Sequence, residues 1–319
     1  MGMKTFKTLD EQLDILKSKG LVIDDNEEAK YILLRENYFF LSGYRHLFMN
    51  PDNRKRFLPG TNFREIHALF SFDRQLRNIL FKNILIVENN LKSIVSYIMS
   101  KNHGFKEQNY LNAENFVADQ SKTKQINDLL RKMKRQINVN SKQHTATSHY
   151  MINYGYIPLW VVVKVLSFGI VSELYSILQY DDQKEIAEVF DVDVKELNLY
   201  LPIIANYRNL CAHEDICYIN KTQKMINNTK YHDLLNIPKN QYNEYEKGVN
   251  DLFAIIIILK QILSDKDFHL LMYEISYELD VLDGKLETIS VDDVLNAMGF
   301  PLNYKDIVRL DEWNKIQVK

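Results

Sequence analysis

The 319 residues suffice for one large domain or two ordinary ones, and a chain of this length buries roughly three quarters of its unfolded surface without needing staples. With 46% hydrophobic and 26% charged residues, the composition excludes a disordered or fibrous chain, and 10 Gly and 6 Pro leave few turn residues for a many-stranded sandwich or barrel. Two cysteines exclude a disulfide framework or a four-thiolate metal site, the net charge of −2 favours no class of partner, and a reducing cytoplasm is the expected location.

The first stretch, MGMKTFKTLDEQLDILKSKG, has charges throughout and no apolar core, so no signal peptide is expected there. Gly2 lacks the following Ser or Thr that myristoylation needs. Thr8 and Glu11 make a capping box for a first helix that Gly20 stops. A second helical pattern runs over about 26–41, with a tyrosine cluster at 38–44 that reads as core, and a polar loop follows over 51–60. Asn62 with Glu65 starts the longest helix, which reaches about residue 101 before His103-Gly104 ends it. Along it Leu76, Leu80, Ile84, Val87, Leu91, Ile94 and Ile98 form the seam of a packed bundle helix.

Residues 121–137 read as a helix with Ile126, Leu129, Leu130 and Met133 buried, and residues 138–156, with His144, His149 and three tyrosines, as a loop. Pro158 opens an apolar helix to about Leu178. Short helices are expected at about 181–190 and 193–200, and Pro202 is expected in the first turn of a further helix to about Asp215. A polar stretch over 220–239, two helices over about 247–280 and a short helix capped by Ser290 complete an all-α chain. The apolar runs at 160–171 and 252–259 fall short of the ~20 residues that span a bilayer, so a soluble protein with no membrane association is expected.

Charge is unevenly distributed. Residues 121–150 hold seven bases against one acid, Asp128, whereas 265–319 hold twelve acids and six bases. The basic window either tracks a polyanion or is a solvated face. In the first reading Lys124, Arg131, Lys132, Lys134 and Arg135 contact an RNA backbone, and Tyr150, Tyr154 and Tyr156 stack on its bases.

No glycine-rich phosphate loop, GxGxxG or GxSxG is present. HEDIC, residues 213–217, departs from HExxH in having Cys217 where a second His belongs, so neither a metal nor any other cofactor is expected. What remains is ANYRNLCAHED, with Arg208 five residues before His213. As a bare motif it is weak, because 11 Arg and 8 His predict roughly one chance match to R-x4-6-H. Helical geometry sharpens it: Asn206, Asn209 and His213 fall on one polar stripe, while Ile203, Tyr207 and Leu210 form an apolar one. Arg208 and His213 are offset by about 140° and about 7.5 Å of rise, so one straight helix does not bring them together. Two copies about a two-fold axis can bring both pairs into one groove.

YRNLCAHED resembles the signature of HEPN ribonucleases in the form found in abortive-infection proteins of the AbiF/AbiD type. FFLSGYRHLF, FDRQLRNILF, IPLWVVVKVLSFG, NDLFAIIIILK and MGFPLNYKDI resemble further family blocks in family order. Lys164, where relatives often carry an acid, and Glu214-Asp215 after the histidine depart from the pattern. The resemblance implies a HEPN-type helical bundle with additional N- and C-terminal helices: a helical segment over 1–60, a HEPN-like core over 61–264 and an acidic helical segment over 265–319. It also implies a metal-independent endoribonuclease toxin of phage defence. Such enzymes act as homodimers with a composite site, and some are restrained by a structured non-coding antitoxin RNA.

In that role RNA supplies its own 2′-OH, His213 moves protons, the Arg208 guanidinium holds the phosphate and Asn209 orients one or the other. The products would be a 2′,3′-cyclic phosphate and a 5′-OH. Arg77 and Glu88, three turns apart on the long helix, either line the groove, with Arg77 touching RNA, or are bundle-edge charges, and Asp73 with Arg77 reads as an i,i+4 pair. Two other functions fit the same features: RNA binding without cleavage, and a helical interaction protein that senses a phage component.

Overall fold

A computed structural model of the chain describes residues 5–309, without the side chains of Phe39 and Phe40; Gly2 and the last ten residues of the acidic segment lie outside that range. The described residues form α1 (Leu9–Ser18), α2 (Asn26–Glu36), α3 (Tyr38–Gly43), α4 (Phe63–His103) and α5 (Glu107–Tyr110). The middle of the chain supplies α6 (Thr123–Gln143), α7 (Thr145–Tyr154), α8 (Leu159–Val162), α9 (Phe168–Ile177), α10 (Tyr180–Val189) and α11 (Val194–Ala212). After a long irregular connection come α12 (Lys230–Leu234), α13 (Leu252–Ile262), α14 (Asp265–Asp283) and α15 (Val291–Ala297). Short 3-10 turns and isolated bridges join them, and no strand occurs among the described residues, so the fold is all-α. Among the described residues no helix is long and apolar enough to cross a membrane.

The 41 residues of α4, about 60 Å of helix, are the axis of the bundle. The Asn62 side chain accepts from the Arg64 N–H and the Glu65 carboxylate accepts from the Asn62 N–H, which fixes the start of the helix. α11, α14, α10, α8 and α9 all pack on α4. Its seam residues Leu76, Leu80, Ile84, Val87, Leu91 and Ile98 are buried as their spacing predicts, and Ile94 is half-buried at the edge of the seam. α13 is apolar around nearly its whole circumference and is correspondingly buried on all sides. Glu65 also accepts from the backbone N–H groups of Glu287 and Thr288, at 2.7 and 2.6 Å, and so ties the C-terminal segment to the head of α4.

Several elements differ from the sequence expectation. The 26–41 pattern breaks at Asn37, which takes a positive φ of 67° and splits it into α2 and α3. The apolar run after Pro158 is two helices, because the Ser167 hydroxyl caps a new start at the Ile170 N–H. Pro202 does not start a helix. It lies inside α11, which begins at the Asp193–Glu196 capping box and runs through the proline on the strength of its buried face, Tyr200, Leu201, Ile203 and Ile204. The segment 138–156 is not a loop: α6 continues to Gln143 and α7 follows at once. Its polar residues are weak helix formers, but α7 packs back on α6, and Thr147 is buried and donates to the Asn140 and His144 carbonyls. Gly155, at φ 74°, ends α7. α12 also forms inside the polar stretch 220–239.

Candidate active site

The C-terminal end of α11 carries the R-x4-H residues, and a specific stop sets where it ends. His213 is the C-cap, its N–H donating to the Asn209 carbonyl at 3.0 Å. Glu214 then turns left-handed, at φ 57°, and the Asp215 N–H returns to the Leu210 carbonyl at 3.2 Å. This is the long bond of a Schellman-type terminus, with Glu where glycine is usual. Asn206, Asn209 and His213 are exposed, and Ile203, Tyr207 and Leu210 are buried, so both stripes lie as their spacing predicts. Among the described residues no side chain binds the His213 ring or the Asn209 amide.

Arg208 is directed elsewhere. Its Nε lies 3.4 Å from Glu88 Oε2 on α4, and its guanidinium sits 5.7 Å from the centre of the Phe81 ring. Glu88 also accepts from Lys92 Nζ at 2.7 Å. Arg208 is thus half-buried against α4 while His213 ends the helix in solvent, and within one chain no hydrogen bond joins them. Glu88 is a bundle-edge charge and also the partner of Arg208, a role its i,i+4 spacing to Lys92 did not reveal.

Arg77 does not reach an RNA-contacting surface. It is 2% exposed, because its Nη1 pairs with Asp73 Oδ2 at 2.5 Å inside the bundle and reaches the Asp215 carbonyl at 3.3 Å. Asp73 is the centre of this knot. Its carboxylate accepts from the Tyr44 hydroxyl at 2.7 Å, the Cys217 N–H at 3.0 Å and the Tyr218 N–H at 2.8 Å. Burial pushes the Asp73 carboxyl above the ordinary carboxylate range, and Arg77 and these donors offset only part of that rise. The knot clamps residues 215–218 to α4 directly after His213, which makes it the support on which His213 stands. The i,i+4 pair was legible in the sequence, but its link to a segment more than 130 residues away was not. Arg74 is a further cation near the histidine, held by Glu36 at 2.6 Å and lying 3.8 Å from Glu214.

His213 and Cys217 do not share a site: the first is exposed and the second fully buried. Cys211 is buried, as a packing residue is. Lys124, Arg131, Lys132, Lys134 and Arg135 are all exposed on α6. Arg131 pairs with Asp128, and Lys132 with Glu173 of α9 at 2.8 Å. α9 packs against both α6 and α11, so this basic face lies across α9 from the Arg208–His213 helix.

The sequence profile of the Abi-like protein family matches residues 31–219, more than half of the chain, and spans α4, the Asp73 knot and the whole of α11. No curated protein and no solved structure matches the chain.

Proposed function

We propose, from the premise that this chain belongs to the Abi-like protein family, that it is a HEPN-type endoribonuclease acting in phage defence. Family membership supports a role in abortive infection. The observation that carries the nuclease reading is the exposed polar end of α11: His213 and Asn209 face solvent, and Arg208 lies about one turn back on a loosely held contact.

The chemistry follows from the residue types. An imidazole both accepts and donates protons, so His213 can take the proton of a ribose 2′-OH or give one to the departing 5′ oxygen. The guanidinium of Arg208 presents paired N–H donors to the charge that builds on the phosphorane. Asn209, on the same face as His213, orients the ring or the phosphate. Since Arg208 and His213 diverge on one helix, a second copy related by a two-fold axis completes the site, and the protein acts as a homodimer on RNA without a metal.

Incubating the purified protein with total RNA in EDTA and analysing the new ends tests this reading. Fragments ending in 2′,3′-cyclic phosphate and 5′-OH are expected, together with a dimer in solution. The Glu88 contact favours one other reading, in which Arg208 is a bundle tie and the groove binds a guard RNA without cutting it. Binding with no cleavage, unchanged in the His213→Ala variant, would favour that reading.

A further inference from the structure

A chain of aromatic rings crosses the surface beside the far half of α4. Trp160 lies 5.4 Å from Phe105, Phe105 lies 5.8 Å from Tyr156, and Tyr156 lies 6.4 Å from Tyr154, between ring centres. Tyr150 continues the series 5.4 Å beyond Tyr154. Rings in such contact ordinarily form a core, yet Trp160 is 45% exposed and Tyr154 58% exposed, and the others are at least partly accessible. Soluble proteins seldom leave a contiguous aromatic surface uncovered without a binding role.

At the Trp160 end the rings border a groove of about 430 Å³ lined by Ser93, Ser96, Tyr97, Ser100, Lys101 and Trp160. Tyr97 is 70% exposed, so an aromatic ring stands on the α4 wall and an indole on the other. The lining has hydroxyls and a lysine but no carboxylate. Of the acids on neighbouring segments, Glu185 pairs with Lys101, Asp182 accepts from Asn102 and lies 2.7 Å from His103 Nε2, and Glu107 accepts from the Ile157 N–H at 2.6 Å. Lys106 lies over the middle of the series, its Nζ 4.8 Å from the centre of the Tyr156 ring.

The groove and the Arg208 contact lie along the same stretch of α4. Glu88, Lys92, Ser96 and Ser100 follow at steps of four, each turning about 40°, so the path winds about 120° around the helix from Glu88 to Ser100. Glu88 holds Arg208, while Ser96 and Ser100 line the groove, about 12 Å further along the axis from Glu88 to Ser96. Between them Lys164 reaches Asn89 at 3.4 Å. Along the path Arg208 and Lys92 share the Glu88 carboxylate, Lys101 pairs with Glu185 and Lys164 is exposed, and flat rings open to solvent lie at its end.

From this arrangement we infer that the Trp160 groove and the rings leading to Tyr150 bind the unpaired stretch of RNA next to the cleaved bond, with bases stacked on the rings and phosphates along the α4 cations. A duplex keeps its bases stacked on one another and offers the rings nothing, so the enzyme selects single-stranded segments. This inference rests on the nuclease reading for the position of the cleaved bond, but its test does not depend on cleavage. Trp160→Ala, Tyr154→Ala and Trp160→Phe are each combined with His213→Ala, and their affinities for a fluorescein-labelled oligouridine and a labelled blunt RNA duplex are measured by anisotropy.

Trp160→Ala and Tyr154→Ala are each expected to weaken oligouridine binding about tenfold, with duplex binding unchanged and Trp160→Phe close to the parent. Equal oligouridine affinity in the parent and both alanine variants overturns the inference, and is the result expected if the rings instead dock a protein. Equal losses on both probes also overturn it, since a folding or charge defect would do the same. The nuclease reading fails on a different measurement, the absence of cyclic-phosphate ends from the wild type.

Discussion

Arg208 Nε meets Glu88 Oε2 at 3.4 Å, across 120 residues of sequence, while the other oxygen of the same carboxylate holds Lys92 at 2.7 Å. A charge-assisted bond of full strength is about 2.7–2.9 Å long, so Glu88 is committed to Lys92 and only steadies Arg208. Arg208 is about a third exposed, and a pair of that kind contributes no more than about 1 kcal/mol. A phosphate offering two oxygens to the guanidinium fork outcompetes it. The contact therefore parks the arginine near the exposed end of α11 without locking it there.

Replacing Glu88 with Gln should relieve that competition. The expected result is a KM for RNA lowered by up to about fivefold, the equivalent of an exposed ion pair, with kcat little changed. If Glu88→Gln instead lost as much activity as Arg208→Ala, the carboxylate would be needed in the transition state and the parking role would be wrong.

Arg208→Ala and His213→Ala should each lower kcat by about 10²-fold or more, the scale on which a phosphate-holding donor or a proton-transferring group acts. His213 is exposed and its cap bond is made by its backbone, so His213→Ala should change stability by no more than about 0.5 kcal/mol. Urea unfolding beside single-turnover cleavage checks both halves, and cleavage at the wild-type rate by His213→Ala would remove the histidine from the mechanism.

Much of this architecture could be read from local pattern. The capping boxes at Thr8, Asn62 and Ser290, the seam of α4 and the two stripes of α11 are set by spacing within a turn or two, and the structure has them as expected. The structure departs from local pattern where tertiary packing overrides local preference. Pro202 sits inside a helix whose buried face holds it, and the weak helix formers of 145–154 are ordered by α6. The choice between the two readings of Arg77 needs the tertiary structure for the same reason: nothing local reveals that Tyr44 and residues 215–218 close over it.

Asp73→Ala should be among the most damaging single changes, because it leaves Arg77 as an uncompensated charge at 2% exposure and strips the acceptor from two buried N–H groups. A loss of about 3–5 kcal/mol is expected in urea unfolding. Arg77→Met combined with Asp73→Ala should recover part of it, and the Cys217 and Tyr218 N–H groups should keep the recovery incomplete. A double variant no more stable than Asp73→Ala would mean that the lost acceptor, not the stranded charge, dominates.

On α6, changing Lys124, Lys132, Lys134 and Arg135 together to Gln tests whether that face tracks RNA. If all four neutralise phosphates of a single strand, the slope of log affinity against log salt should become shallower by roughly 3. An unchanged slope would mark the face as merely solvated.

The buried histidine of α12 sets a limit on acid tolerance. His232 is 0% exposed, its Nε2 lies 2.9 Å from the Gly248 carbonyl, and its Nδ1 accepts from the Thr229 N–H at 3.0 Å. Burial holds its pKa below the ordinary 6.5, and a proton on Nδ1 would also displace the Thr229 bond. The folded state thus takes up this proton less readily than the unfolded chain does. The stabilisation is complete above about pH 6.5 and is lost as pH falls from there toward the folded-state value, at up to about 1.4 kcal/mol per pH unit. The urea midpoint should drop between pH 7.5 and pH 5.5. His232→Gln keeps a donor and an acceptor but cannot titrate, so it should be less stable at pH 7.5 yet lose less on acidification. Parallel pH profiles for the two proteins would show that the acid sensitivity originates in other groups.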